Sequence, residues 1–271
     1  MDISGKVVAL TGAGNGIGEA LARGMAARGA KGVVVSDLDE ADAKRVADAI
    51  VQDGGRATSL RVDASREDDI RKLVAQAERD FGPVDIMCSN AGLVDEGDVD
   101  APDAKWARSW NLNVMAHVYA ARAVLPSMRA RGSGYLLNTC SAAGLLTSPG
   151  AAPYAVTKHA AVALAEWLAI EHGDAGIRVS VIAPQAVRTK LLQGSIDSGN
   201  DASRALSQAA RMIEPDEVAR CAIEAVEMDQ FLILPHPEVL DFVKRKAQDV
   251  DRWLAGMRRF LAQARGAQPQ A

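Results

Sequence analysis

No cysteine pattern in this chain points to a disulfide framework or a structural zinc. Its three cysteines, Cys88, Cys140 and Cys221, are odd in number and lack CxxC or Cys/His spacing. They are expected as reduced, small buried side chains. The four histidines, His117, His159, His172 and His236, are scattered without HExxH or another ligand spacing, so core or surface roles are expected rather than metal binding. Basic residues are in deficit: 31 Lys and Arg stand against 35 Asp and Glu, a formal net charge of -4, which argues against a nucleic-acid surface. Apolar runs long enough to span a bilayer are missing. The N-terminus MDISGKVVALTGAG has no basic stretch followed by an apolar core, so no membrane partner and a cytoplasmic location are expected. Low-complexity linkers and internal repeats are also missing, which leaves 1–271 as one expected domain.

What the chain does have, from Lys6 onward, is an alternation of short β-branched runs with longer Ala-rich amphipathic stretches. That is the pattern of βαβ units building a parallel sheet. Strands are expected near Val7 to Leu10, Val33 to Ser36, Ala57 to Arg61, Ile86 to Ser89, Tyr135 to Asn138, Val179 to Ile182 and Phe231 to Leu234. Helices are expected between them, among others over Glu19 to Arg28, Glu40 to Gln52 and Glu67 to Phe81. Two segments break the alternation. Thr189 to Glu214, with Gly194, Gly199 and Asn200 near its centre, reads as a mobile lid, and Glu238 to about Arg265 reads as one long charged terminal helix.

Directly after the first expected strand comes Thr11-Gly12-Ala13-Gly14-Asn15-Gly16-Ile17-Gly18, followed by a helix. In that context Gly12 allows a tight turn, Gly16 lets backbone approach a pyrophosphate, and Gly18 lets helix and strand pack closely. The helix start then offers free N–H groups to the anion. No Gly-Lys-Ser/Thr follows, so the Walker form and triphosphate hydrolysis are disfavoured. Asp37 closes the second strand, where a carboxylate accepts hydrogen bonds from ribose hydroxyls and repels a 2′-phosphate. Because Asn15 and Leu38 are uncharged, NAD is favoured over NADP. Asp37 also reads as a helix cap. Asp63, with Ala64 after the third strand, is open in the same way between an adenine contact and a cap for a helix starting near Arg66.

Tyr154-Ala155-Val156-Thr157-Lys158 places a phenol and an ammonium one helical turn apart on one face. A phenol is a poor base near neutrality. A neighbouring ammonium, together with a positive nicotinamide, favours the phenolate, which can then take the hydroxyl proton of an alcohol or return it to a ketone.

Taken together, these residues resemble the short-chain dehydrogenase/reductase superfamily, in its shorter single-domain branch, over the chain from Lys6 to about Thr189. The resemblance is carried by the glycine turn, Asp63, Asn90-Ala91-Gly92, Asn113, Ser141, and Tyr154 with Lys158, all in order and in register. It implies an α/β fold, a Rossmann-type doubly wound parallel sheet of about seven strands in the order 3-2-1-4-5-6-7 with helices on both faces. It also implies an NAD-dependent oxidoreductase acting on a secondary alcohol or ketone. In it Tyr154 is the acid/base, Ser141 hydrogen-bonds the substrate oxygen, Lys158 lowers the Tyr154 pKa and binds the nicotinamide ribose, and Asn113 holds a water linking Lys158 to solvent. Asn111, beside it, reads as solvent-facing. The implied cofactor contacts are Gly12, Asn15, Gly16, Ile17, Gly18, Asp37, Asp63, Ala64, Asn90, Ala91, Gly92, Tyr154, Lys158, Pro184, Val187 and Thr189. A homotetramer or homodimer is expected.

One departure stands out. After the sixth strand the family usually has Pro-Gly, whereas this chain has Pro184-Gln185, putting a side chain where glycine lets the backbone pass close to the nicotinamide. Cys140, beside Ser141, has no histidine placed to activate it as a nucleophile. The apolar Leu93, Val94, Leu145, Leu146, Leu191 and Leu192 are candidates to line a pocket for a hydrophobic alcohol. The competing reading is an NAD-binding regulator without turnover. It fits less well, because Tyr154 and Lys158 are both retained.

Overall fold

The first strand, β1 (Val7–Leu10), sends Val8 and Leu10 into one apolar cluster and Val7 and Ala9 into a second on the opposite face. A strand buried on both faces needs helices above and below it, and that demand organises the chain. In the computed structural model, which describes residues 1–197, 210–264 and 266, the other strands are β2 (Gly32–Asp37), β3 (Ala57–Arg61), β4 (Ile86–Ser89), β5 (Gly134–Thr139), β6 (Ile177–Ile182) and β7 (Leu232–Ile233). All neighbours pair in parallel, in the order β3-β2-β1-β4-β5-β6-β7. The order reverses between β1 and β4, and ligands of doubly wound sheets bind at that crevice, beyond the carboxyl ends of the strands.

The helices are α1 (Gly16–Ala27), α2 (Glu40–Gln52), α3 (Glu67–Asp80), α4 (Asp103–Trp110), α5 (Ala116–Arg131), α6 (Ala143–Leu146), α7 (Ala152–His172), α8 (Lys190–Asp197), α9 (Pro215–Glu227), α10 (Glu238–Gln248) and α11 (Val250–Ala264). The buried sides of α1, α2 and α9 fill one cluster, and those of α3, α5 and α7 the other. Each fully buried Leu, Ile or Val contributes on the order of 1.5–3 kcal/mol. A π-helical turn at Asn111–Met115 joins α4 to α5. Among the described residues no helix is long and apolar enough to cross a membrane.

Three expectations change. Helix α1 begins at Gly16, not Glu19, so the last two glycines of the turn belong to its first turn. The C-terminal stretch is two helices, not one: Asp249 is extended, with φ -156° and ψ 94°, and its Oδ1 accepts from Arg252 N at 2.9 Å, capping the second helix where the first ends. The expected lid is helical over α8, and its Gly199 and Asn200 lie outside the described residues.

Buried side-chain bonds tie strands together: Ser36 of β2 donates to Leu10 O of β1 at 2.6 Å, and a second tie joins β5 to β6. Ser180 of β6 donates its only hydroxyl proton to Gln230 O at 2.6 Å, so Tyr135 of β5 donates to Ser180 Oγ, also at 2.6 Å. Burial pushes the Tyr135 phenol up to about 12, which keeps it a neutral donor. Tyr135→Phe leaves the ring packing intact and removes one bond whose acceptor keeps its other partner. Urea unfolding is expected to show a loss of about 1 kcal/mol, against about 3–5 kcal/mol for Tyr135→Ala. An unchanged midpoint for the Phe variant would remove the bond from the account.

Candidate active site

The site begins at a seam between backbone segments. Gly12 has φ +60°, and a Cβ there would lie 2.7 Å from Ala91 Cα; a Cβ on Gly18 would lie 2.1 Å from Gly12 O and 2.5 Å from Asn90 Nδ2. Only glycine fits either place. Asn90 Nδ2 donates to Gly12 O at 2.7 Å, and the Thr11 hydroxyl oxygen accepts from the N–H groups of Asn90 and Ala91 at 3.1 and 3.2 Å. The turn after β1 and the turn after β4 are thereby joined. Asn15 precedes α1 with no side-chain cap bond, so the first-turn N–H groups of that helix remain for an anion.

A cleft of about 560 Å³ opens from this seam. Gly12, Asn15, Gly16, Ile17, Asp37, Asp63, Ala64, Asn90, Ala91, Gly92, Tyr154, Lys158, Pro184, Val187 and Thr189 all line it; of the expected cofactor set only Gly18 does not, because its role is close packing. Asp37 accepts from Gly14 N at 2.9 Å and Asp39 N at 3.1 Å. It is not the cap of α2: Asp39 is, accepting from Ala41 and Asp42. The cap alternative for Asp63 fails too. Its Oδ1 accepts from Ser65 N and Ser65 Oγ, closing a local turn, while α3 begins after Arg66 with no side-chain cap. The cations nearby are engaged: Arg45 bonds Glu19 and Gly14 O, and Lys190 pairs with Asp42 at 3.3 Å. Thr189 accepts from Leu192 N, capping α8 at the rim.

Asn113, Ser141, Tyr154 and Lys158 converge at the inner end of the cleft. Asn113 is fully buried in the π-helical turn, donates to Leu93 O at 3.0 Å and Thr157 Oγ1 at 3.1 Å, and accepts from Leu93 N at 3.0 Å. Asn111 is exposed, as expected. A Cβ on Gly92 would lie 3.2 Å from Asn113 Oδ1 and 3.4 Å from Lys158 Nζ, so glycine keeps that passage open. Lys158 is buried rather than a surface lysine. Its ammonium donates to Thr139 O at 3.1 Å and lies 5.8 Å from the Tyr154 ring centre. Ser141 follows β5, and its oxygen accepts from Ala143 N at 3.1 Å, which leaves its proton for another acceptor.

Burial pushes the Tyr154 phenol up to about 12, with the Ser141 hydrogen bond pulling the other way, and burial lowers the Lys158 pKa as well. Desolvation of the phenol favours its neutral form, so its proton is held at neutral pH. Behind Lys158 lies a group that sequence reasoning set aside. His117 is buried, its Nδ1 is 3.0 Å from Asn138 Oδ1, and burial together with the Lys158 charge pushes its pKa down to about 3. It stands four residues after Asn113, and that helical spacing was the available signal.

A second cavity of about 440 Å³ adjoins Ser141 and Tyr154 on the side away from the glycine turn. Of the apolar residues expected there, Val94, Leu146 and Leu192 line it; Leu93 and Leu191 face the first cleft, and Leu145 packs in the core. Its far wall was missed: Phe242 comes from α10, and Trp253, Met257 and Phe260 from α11. Phe242, Trp253 and Met257 stand at helical spacing in the sequence, which signals a packed face but not what it covers. Lys246 Nζ donates to Leu145 O at 2.7 Å, tying this wall to α6. Among the described residues no group of His, Cys, Asp and Glu could hold a metal ion.

Residues 6–199 match the family model described as short chain dehydrogenase. The chain is 34% identical over 230 residues, 82% of its length and 90% of the relative's, to 2,5-dichloro-2,5-cyclohexadiene-1,4-diol dehydrogenase of Sphingobium indicum. Among solved structures it is similar to a short chain dehydrogenase/reductase from Burkholderia phymatum in complex with NAD, with TM-score 0.85 and 28% identity over 93% of this chain and 96% of the other. It is also similar to gluconate 5-dehydrogenase from Burkholderia cenocepacia in complex with NADP and tartrate, with TM-score 0.77 and 27% identity over 88% of this chain and 96% of the other.

Proposed function

The chain belongs to the short chain dehydrogenase family, and from that footing we propose that it is an NAD-dependent dehydrogenase interconverting a hydrophobic secondary alcohol and its ketone, with Tyr154 as acid/base. The observation that carries the reading is the convergence of Ser141, Tyr154 and Lys158 where the two cavities meet. The glycine cradle, which any Cβ would fill, and the Asp37 carboxylate at its rim fit a dinucleotide. When bound, the nicotinamide supplies the hydride chemistry. Gly12, Asn15, Gly16, Ile17 and the start of α1 hold its pyrophosphate, and Asp37 its adenosine ribose. Asp63, Ala64 and Asn90 to Gly92 line the adenine side and the floor, Pro184, Val187 and Thr189 the nicotinamide side, and Lys158 the second ribose.

The residues of this chain handle the proton. Ser141 donates to the substrate oxygen, steadying the charge that develops there, and Tyr154 removes or returns the hydroxyl proton. Asn113 is a positioning residue: it binds the Leu93 peptide to Thr157 and so sets the helix that carries Tyr154 and Lys158. A regulator without turnover has no use for a buried lysine beside a phenol at the junction of two cavities.

The NAD preference rests on charge. Asp37 lines the adenosine end with no cation paired to it among the described residues, while Arg45 and Lys190 nearby are each paired with another carboxylate, so a 2′-phosphate would meet the Asp37 charge. A homo-oligomer is supported by α7, where Val156, Ala160, Ala163, Trp167 and Ile170 form one apolar stripe. Val156, Trp167 and Ile170 are 50%, 55% and 83% exposed.

Three outcomes are expected. Tyr154→Phe lowers turnover by roughly 10²–10⁴-fold in both directions. Since the phenol is raised to about 12, wild-type oxidation climbs with pH across the neutral and alkaline range, while reduction, which needs the phenol protonated, stays flat; a Phe variant with intact turnover would sink the mechanism. In titration calorimetry NADH binds at least about tenfold tighter than NADPH, a margin of about 1.4 kcal/mol; the double change Asp37→Ala, Leu38→Arg narrows it, and equal wild-type affinities would end the NAD assignment. Sedimentation velocity shows a dimer or tetramer that Trp167→Asp with Ile170→Asp dissociates; a wild-type monomer would refute the oligomer.

A further inference from the structure

Gln185 is the unexplained side chain of this site. It stands where the family usually has glycine, and it lines both cavities, with Ser141 and Tyr154 sharing its wall. Its backbone is fixed on two sides. Its N–H donates to His236 Nδ1 at 3.1 Å, and the Nε2–H of that buried ring donates to Arg211 O at 2.9 Å, which sets His236 as the neutral Nε2 tautomer. The preceding carbonyl, of Pro184, accepts from Ala142 N at 2.9 Å. Against this rigid support the side-chain amide is unused: Oε1 is buried with no hydrogen-bond partner, and among the described residues the amide nitrogen bonds none. A buried amide is a costly thing to leave unsatisfied. A structural glutamine would be bonded to protein. This one borders a largely apolar cavity at the place where a substrate carbinol meets Ser141.

We propose that Gln185 reads the substrate: its amide takes a second oxygen carried near the carbinol, so that the preferred substrate is a bulky, mostly apolar alcohol bearing an additional hydroxyl or carbonyl. The bulk follows from the cavity, whose roughly 440 Å³ is about three times the ~150 Å³ that accepts a benzene ring. Trp253, Met257 and Phe260 offer the far end an apolar wall. This inference rests on the dehydrogenase reading above.

The test compares kcat/KM for one-ring and two-ring secondary alcohols with their vicinal diols, in wild type and in Gln185→Met, which keeps the shape and removes the amide. Because each enzyme is its own reference, damage to folding cancels in the diol-to-alcohol ratio. The expected result is a wild-type preference for the diols of about tenfold, expressed mainly in KM, that falls to about twofold or less in Gln185→Met. Equal ratios in the two proteins overturn the proposal. So does a variant that loses NADH binding by calorimetry while keeping its ratio, since the amide then serves the cofactor. If wild type oxidises neither member of any pair with NAD or NADP, the dehydrogenase reading falls, and this inference with it.

Discussion

The contact on which the rest depends is the approach of α1 to the turn after β1, so close at Gly18 that a single Cβ would lie 2.1 Å from the Gly12 carbonyl. That carbonyl is also the acceptor for Asn90. One peptide group thus fixes the phosphate-binding turn, the start of α1 and the loop after β4 together. The loop carries the constraint inward: Leu93 is held at both its N–H and C=O by Asn113, and Asn113 donates to Thr157, beside Lys158 on α7. The glycine turn and the Asn113–Lys158 end of the cleft are therefore parts of one connected framework, built where the strand order reverses.

Much of this framework was legible in the chain. The strands read as short apolar or β-branched runs, and β1, β3 and β4 end where the runs end. Glycines demanded by close backbone approach stand out at fixed offsets, and Tyr154 and Lys158 stand out at one helical turn. What was not legible is whatever depends on which element covers which. Asp37 and Asp63 each had a plausible cap role, and only the neighbouring Asp39 and Ser65 decide against it. Asp249 breaks the terminal helix through a local side-chain bond that periodicity does not register. Trp253 and Met257 sit at regular helical spacing, yet spacing alone does not distinguish a core face from the wall of a cavity.

Burial also bears on the charges at the inner end of the cleft. An ammonium one turn from a phenol favours the phenolate in water, but here both groups are desolvated, and the penalty falls on each charged form. His117 answers the same environment by staying neutral beside Lys158. Tyr154 therefore keeps its proton at neutral pH, and removing it means creating a charge on a desolvated phenol. In the proposed mechanism the cost of doing so would be smallest when charge appears on a neighbouring oxygen that Ser141 stabilises, which would link the phenol to the substrate rather than to solvent.

The division of labour along the chain follows from these constraints. Residues up to the end of β6 build the seam and most of the cleft, and little freedom remains at the seam, because Gly12 and Gly18 admit no Cβ and Asn90, Thr11 and Asn113 are already bonded. Freedom returns past β6. At Gln185 the chain accepts a side chain where glycine is usual, and His236, sequestered between two prolines, holds that backbone in place. Beyond it α10 and α11 fold back over the second cavity, tied down by Lys246. A site whose chemistry is rigidly prescribed can change its substrate only through parts outside that framework, and Gln185 with the terminal helices is where this chain has room to do so.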